Sequence, residues 1–156
     1  MHKFATALTA IFVFACAIQC AAQSPDPDKG NWHAASNTAS SITGDITIAN
    51  AKLTLSLTPF PLASIRTITP AEVSAIFDAD ANTAGPGTLY RLKVPAAMRL
   101  LHHNTLCGSE ITQWMATWPS GKTLQVAFFS GDDAPALTFD AIANSTQVCG
   151  TFTYTR

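Results

Sequence analysis

Charge is scarce in this chain and nowhere bunched. Lys, Arg, Asp and Glu make up 12% of its 156 residues, with no block of one sign. That excludes the basic stripe of a nucleic-acid binder and the basic helix of a membrane-surface protein. Catalytic signatures are missing as well. There is no Gly-x-Ser-x-Gly elbow for a serine nucleophile, no glycine-rich phosphate loop and no Cys-x-x-Cys pair to lower a thiol pKa. No internal repeat recurs, so a solenoid or propeller is excluded. Past the first two dozen residues no long apolar run exists to span a bilayer. The whole chain is 47% hydrophobic, enough for one packed domain.

Residues 1–22 read as a secretory leader. Lys3 gives a short basic start, an apolar run from Ala5 to Ile18 follows, and Cys20-Ala21-Ala22 offers small residues for cleavage before Gln23. The alternatives are a transmembrane anchor, for which the run is short, and a lipoprotein acylated at Cys20, for which Gln19 is an ill-suited neighbour. Removing the leader leaves ten carboxylates against eight cations. It also takes away Cys16 and Cys20. Cys107 and Cys149 remain, an even pair in an oxidising compartment, and one disulfide is expected between them. The loop it closes, about 43 residues, is worth about 4 kcal/mol in the chain-entropy model.

Residues 23–31 are polar and Pro-rich and predict a flexible lead, with order beginning near Trp32. A single β-rich domain follows over 32–156. Trp32 to Ser41 reads as a strand. Ile46 and Ile48 alternate with Thr47. Leu53, Leu55 and Leu57 alternate with Thr54, Ser56 and Thr58, the clearest strand of the first half. Pro59 and Pro61 are expected to end it or force an edge. A further strand is expected over 62–68. Thr69-Pro70-Ala71-Glu72 is a capping box with Pro at the first helical position and predicts a short helix near 70–77; an ordered loop is the alternative. Tyr90, Leu92 and Val94 alternate with Leu89, Arg91 and Lys93, a strand with two cations on its wet face. One helical turn is expected over 95–101. Trp114, Ala116 and Trp118 share one strand face, and Leu124, Val126 and Phe128 share one face of its hairpin partner. Leu137 to Ile142 is ambiguous, and Phe152 and Tyr154 mark the closing strand. The pattern predicts an all-β, mainly antiparallel fold, a small sandwich or barrel, with the C-terminal strand beside the one that starts after Cys107.

Few residues invite chemistry. His102 and His103 are adjacent, so in an extended segment they point apart, and a zinc site lacks further ligands. Asp78-Ala79-Asp80-Ala81-Asn82 imitates the start of a calcium loop, but Thr83 stands where its turn glycine belongs and Leu89 where its bidentate Glu belongs. Asp132, Asp133 and Asp140 are carboxylates near a turn, the ordinary place for solvated ones. Trp114 and Trp118 are either core or the lining of a ligand cavity inside a barrel. Asn144-Ser145-Thr146 is a glycosylation sequon.

Gly87-x-Leu89-Tyr90-Arg91, Asn104-x-Leu106-Cys107-Gly108 and Cys149-Gly150-Thr151-Phe152-x-Tyr154 together resemble a pattern in small exported bacterial proteins without an assigned function. The resemblance spans roughly residues 42–156 and implies export and one disulfide. Without a catalytic set, the sequence points to an exported, periplasmic or secreted, non-enzymatic β domain. Its expected partner is a protein or envelope component, with a hydrolase inhibitor as one version. Contact would run through His102, His103 and Asn104 and through Asp132 and Asp133. A small-molecule carrier and an unfamiliar hydrolase are the alternatives. No metal, cofactor, nucleic acid or stable membrane insertion is expected, and the domain reads as a monomer.

Overall fold

The computed structural model describes residues 26–156, so the expected leader lies outside the described residues. Eight antiparallel strands form a closed barrel in which each strand pairs with the next in sequence and the last with the first. They are β1 (Gly30–Ala34), β2 (Ile46–Ala49), β3 (Lys52–Leu55), β4 (Thr58–Ile68), β5 (Gly87–Val94), β6 (Thr112–Ser120), β7 (Thr123–Phe129) and β8 (Val148–Thr155). Three short helices join them: α1 (Asn37–Ile42), α2 (Pro70–Phe77) and α3 (Phe139–Ala143). Closure leaves no long sheet edge open to other chains. Among the described residues no helix is long and apolar enough to cross a membrane.

Alternation decides what fills the barrel. Tyr90, Leu92 and Val94 of β5, Met115 of β6, Leu124, Val126 and Phe128 of β7, and Phe152 and Tyr154 of β8 point inward. They meet Trp32, Ile46, Ile48, Leu53 and Leu55 from the first three strands in one continuous cluster. Several of the intervening residues of β5 to β7 are apolar too. Leu89, Trp114, Ala116, Ala127 and Phe129 form a second cluster on the outer face, covered by Val73, Ile76 and Phe77 of α2 and by Leu137 ahead of α3. Strands buried on both faces have lost the apolar-polar alternation of a half-wet strand.

The capping box holds α2 in place as the sequence predicts. Glu72 N donates to Thr69 Oγ1 at 3.3 Å, and Thr69 N donates to Glu72 Oε2 at 2.8 Å. Arg66 grips the same carboxylate at 2.7 and 3.0 Å, and this holds Glu72 well below the usual carboxylate range, at about 2.

The structure departs from the sequence reading at several places. The expected strand Trp32 to Ser41 is strand only to Ala34. Ser36 then caps α1 by accepting from Ala39 N at 3.1 Å, and Ala39 is buried. Leu57 does not continue the leucine face of β3. It sits at positive φ with Ser56 in the tight β3–β4 turn and is 94% exposed. Pro59 and Pro61 do not end a strand but lie inside β4. Leu62 donates its N–H to Ala51 O, toward β3, so by alternation the nitrogens of Pro59 and Pro61 turn toward β5. There β4 and β5 have parted, the ladder between them beginning at Leu62–Leu92, and no donor is wasted. The expected helical turn over 95–101 is a β-turn closed by Met98 N on Pro95 O, followed by a tight turn over Leu101–Asn104 closed by Asn104 N on Leu101 O. The ambiguous 137–142 segment resolves as α3, capped by Thr138.

Cys107 and Cys149 are bonded, with Cα atoms 4.8 Å apart. The strand order corrects the expected neighbourhood, because β7 stands between β6 and β8. The bridge instead runs from the loop ahead of β6 to the first residues of β8, where Cys149 is bypassed by a bulge in the β7–β8 ladder.

Candidate functional site

Strand direction puts α1, the β5–β6 loop (95–111) and the β7–β8 connection (130–147) at one end of the barrel. Both segments expected to contact a partner therefore emerge from the same end. The disulfide ties the first of these loops to the strand that follows the second.

His102 and His103 are exposed and both adopt left-handed backbone, φ 53° and 62°. Two successive non-glycine residues there store strain that the surrounding loop must hold. Asn104 supplies part of the hold, donating from Nδ2 to Ser41 O at 3.0 Å, while Leu100 is buried beneath. Among the described residues no three His, Cys, Asp or Glu side chains cluster as metal ligands.

Asp132 is braced. Arg91 Nη1 donates to its backbone oxygen at 2.9 Å, and Gln113 Nε2 donates to its Oδ1 at 2.7 Å. Arg91 Nη2 also donates to Gln113 Oε1, closing a three-residue network. The guanidinium lies 4.5 Å over the Trp114 ring, a cation–π contact, and Trp114 Nε1 donates to Gly131 O at 3.2 Å. The loop tip is thus fixed from two strands. Asp133, beside it, is exposed.

Trp114 and Trp118 do not line the barrel's interior. Both belong to the outer cluster, Trp114 buried and Trp118 packed beside Phe77 at 6.2 Å between ring centres. The calcium-like stretch is consumed by local turns. Asp78 closes α2 in left-handed conformation, and Asp80 Oδ1 accepts from Asn82 N and Nδ2.

A groove of about 580 Å³ opens where β4 and β5 part. Its floor is apolar, with Pro61, Leu62, Ala63 and Leu92, and its other wall carries Arg91, Lys93, Gln113 and Asp132.

The sequence reading missed one polar site. Asp28, expected in a flexible lead, is fully buried. Its Oδ2 accepts from Tyr90 Oη at 2.6 Å and from Thr117 Oγ1 at 2.8 Å, while Oδ1 has no partner among the described residues. Its backbone oxygen takes the Trp32 indole N–H at 2.9 Å. Arg156 stacks on Trp32 at 4.3 Å and donates to the carbonyls of Lys29 and Pro27, clamping the segment. Burial pushes the Asp28 carboxyl up from its ordinary value, nearby Asp26 pushes the same way, and the hydrogen bonds from Tyr90 and Thr117 oppose both. No local signal marks this residue, because its partners lie 62 and 89 positions away.

No protein-family model, curated protein or solved structure matches the chain.

Proposed function

We propose that this protein is an exported, non-enzymatic β-barrel domain that binds a protein or envelope partner through its outer surface, inhibition of a hydrolase being one form of that activity. The observation that carries this reading is the rigid bracing of two loops at one barrel end. The disulfide, the Asn104–Ser41 bond and the Arg91–Gln113–Asp132 network fix them before any partner arrives. Prepaid ordering of this kind lowers the entropy lost on association.

The filled interior supports the same reading. A carrier needs a hollow, and the inward positions of all eight strands are instead occupied by one cluster of buried side chains. A hydrolase needs perturbed titratable groups that substrate can reach; Asp28 has the perturbation and no exposure, which suits a structural acid.

The test is affinity capture with the disulfide-bonded domain, residues 23–156, from periplasmic extract and culture supernatant, followed by purified-component binding. A saturable partner at micromolar concentration or tighter, weakened by substitutions at 102–104 or 131–133, is expected. Absence of any saturable partner in both fractions overturns the reading.

A further inference from the structure

We infer that the groove between β4 and β5 is a docking site for an extended, acidic segment of a protein partner. The inference rests on the binding reading above and names the chemistry that the partner presents.

The groove exists because the β4–β5 ladder stops. Its last pair toward this end is Leu62–Leu92. The next pair would set Pro61, which has no N–H, opposite Lys93, so the sheet cannot zip further. On its other side β5 has a register shift against β6 between Arg91 and Val94. The two strands splay, and apolar side chains that would lie beneath a continuous ladder become a floor. The gap runs alongside the two parted strand ends, so an extended segment can lie along it, held more by side chains than by a main-chain ladder, since Pro59 and Pro61 offer no N–H.

Charge selects the occupant. Arg91 and Lys93 line the groove, and Lys52, the register partner of Pro61, stands exposed on the same outer face. The ion pairs among the described residues involve Lys29, His33 and Arg66, leaving these three cations without a carboxylate at bonding distance. The one acid in the wall, Asp132, spends Oδ1 on Gln113. Arg91 is held by neutral acceptors and an aromatic face, so its charge is positioned and not neutralised. The Asp132 loop also joins this groove to the braced end of the barrel. An apolar floor flanked by the un-neutralised Arg91 and Lys93, with Lys52 exposed beside it, is complementary to alternating apolar and acidic residues, the pattern of a strand-forming acidic peptide.

The probes are fluorescein-labelled eight-residue peptides, (Val-Glu)₄, (Val-Gln)₄ and (Val-Lys)₄, followed by anisotropy against the intact disulfide-bonded domain. The acidic peptide should bind at least tenfold tighter than the lysine peptide and weaken as salt rises. Lys93→Glu, at an exposed position, should cost about tenfold; Lys52→Glu/Lys93→Glu should reverse the preference. Lys122→Glu, in the β6–β7 turn away from the groove, should change nothing. Thermal melts confirm that each variant folds. Equal binding of all three peptides, or indifference to the Lys93 and Lys52 reversals, overturns the inference. Binding to vesicles of one-quarter phosphatidylglycerol in phosphatidylcholine but not to peptide overturns it in favour of a lipid surface. A captured partner that ignores the reversals removes the groove and leaves the general binding reading standing; capture of no partner removes that reading instead.

Discussion

Tyr90 donates a 2.6 Å hydrogen bond to Asp28, joining the middle of β5 to the segment ahead of β1 inside the barrel mouth. Burying a carboxylate is costly, and this one has only half its acceptor capacity met. Its pKa is accordingly raised, so the folded state holds the proton more tightly than the unfolded chain does. The contribution to stability is fully present below the ordinary Asp value and is lost as pH rises through the folded value. Glu72 and Asp45, whose pKa values are lowered, act with the opposite sign and lose their contribution as pH falls below the usual carboxylate range. As pH rises past the ordinary Asp value the Asp28 contribution is the one being lost: urea unfolding should show the native protein losing stability with rising pH relative to Asp28→Asn. A native protein with a flat profile would show that the carboxylate is solvated.

Gly87 opens β5 directly against β6. A Cβ there would collide with the backbone oxygen of Thr117 and approach Ile68 Cγ1 at 2.9 Å. Backbone cannot step aside cheaply, so Gly87→Ala should cost about 1–3 kcal/mol. Gly85→Ala, two residues earlier in the loop, meets nothing within 4 Å and should be close to neutral. Urea midpoints of the two variants decide it; equal midpoints would mean that the strands can part at this crossing.

Where the signal is local it was legible: the alternation of β5, β7 and β8 named their inward faces, and Thr69 with Glu72 named α2. Arg91 and Lys93 were readable as cations on a wet face, but the groove between them and β4 depends on where a ladder ends, which Pro61 and Lys93 settle only once paired. Asp28 reads as tail because an aspartate between Pro27 and Lys29 is tail unless a phenol and a hydroxyl from distant strands arrive to hold it. Leu57 fits an alternation that the turn overrides. The residues of α1, Asn37 to Ile42, are mostly small and polar and have no helical apolar stripe to announce them, so the segment reads as strand.

Ser56 and Leu57 place two ordinary residues at φ 46° and 69°, the conformation for which a two-residue hairpin prefers Asn-Gly. Left-handed backbone costs an L-residue about 1–2 kcal/mol, and the exposed Leu57 side chain returns no burial for it. Leu57→Gly is therefore expected to raise stability by up to about 1 kcal/mol, after glycine's own entropic cost. A chemical-denaturation series including Leu57→Ala separates backbone relief from side-chain removal: only glycine should gain.

The disulfide closes a segment of 42 positions that includes β6, β7 and the braced Asp132 loop. In the chain-entropy model its removal costs about 4 kcal/mol. Replacing both cysteines with serine should therefore lower the urea midpoint sharply while leaving the barrel folded in buffer, since the interior cluster draws buried side chains from all eight strands and the two cysteines only pack against its margin. The loss should also be local first. Cys107 sits in a loop whose other fixed points are Asn104 on Ser41 and Thr112 Oγ1 on the sulfur itself at 3.0 Å. Hydrogen exchange should accelerate over 95–111 before it accelerates in β5 or β7. Acceleration in β5 and β7 with no earlier acceleration over 95–111 would instead mean that the loop owes its order to other contacts.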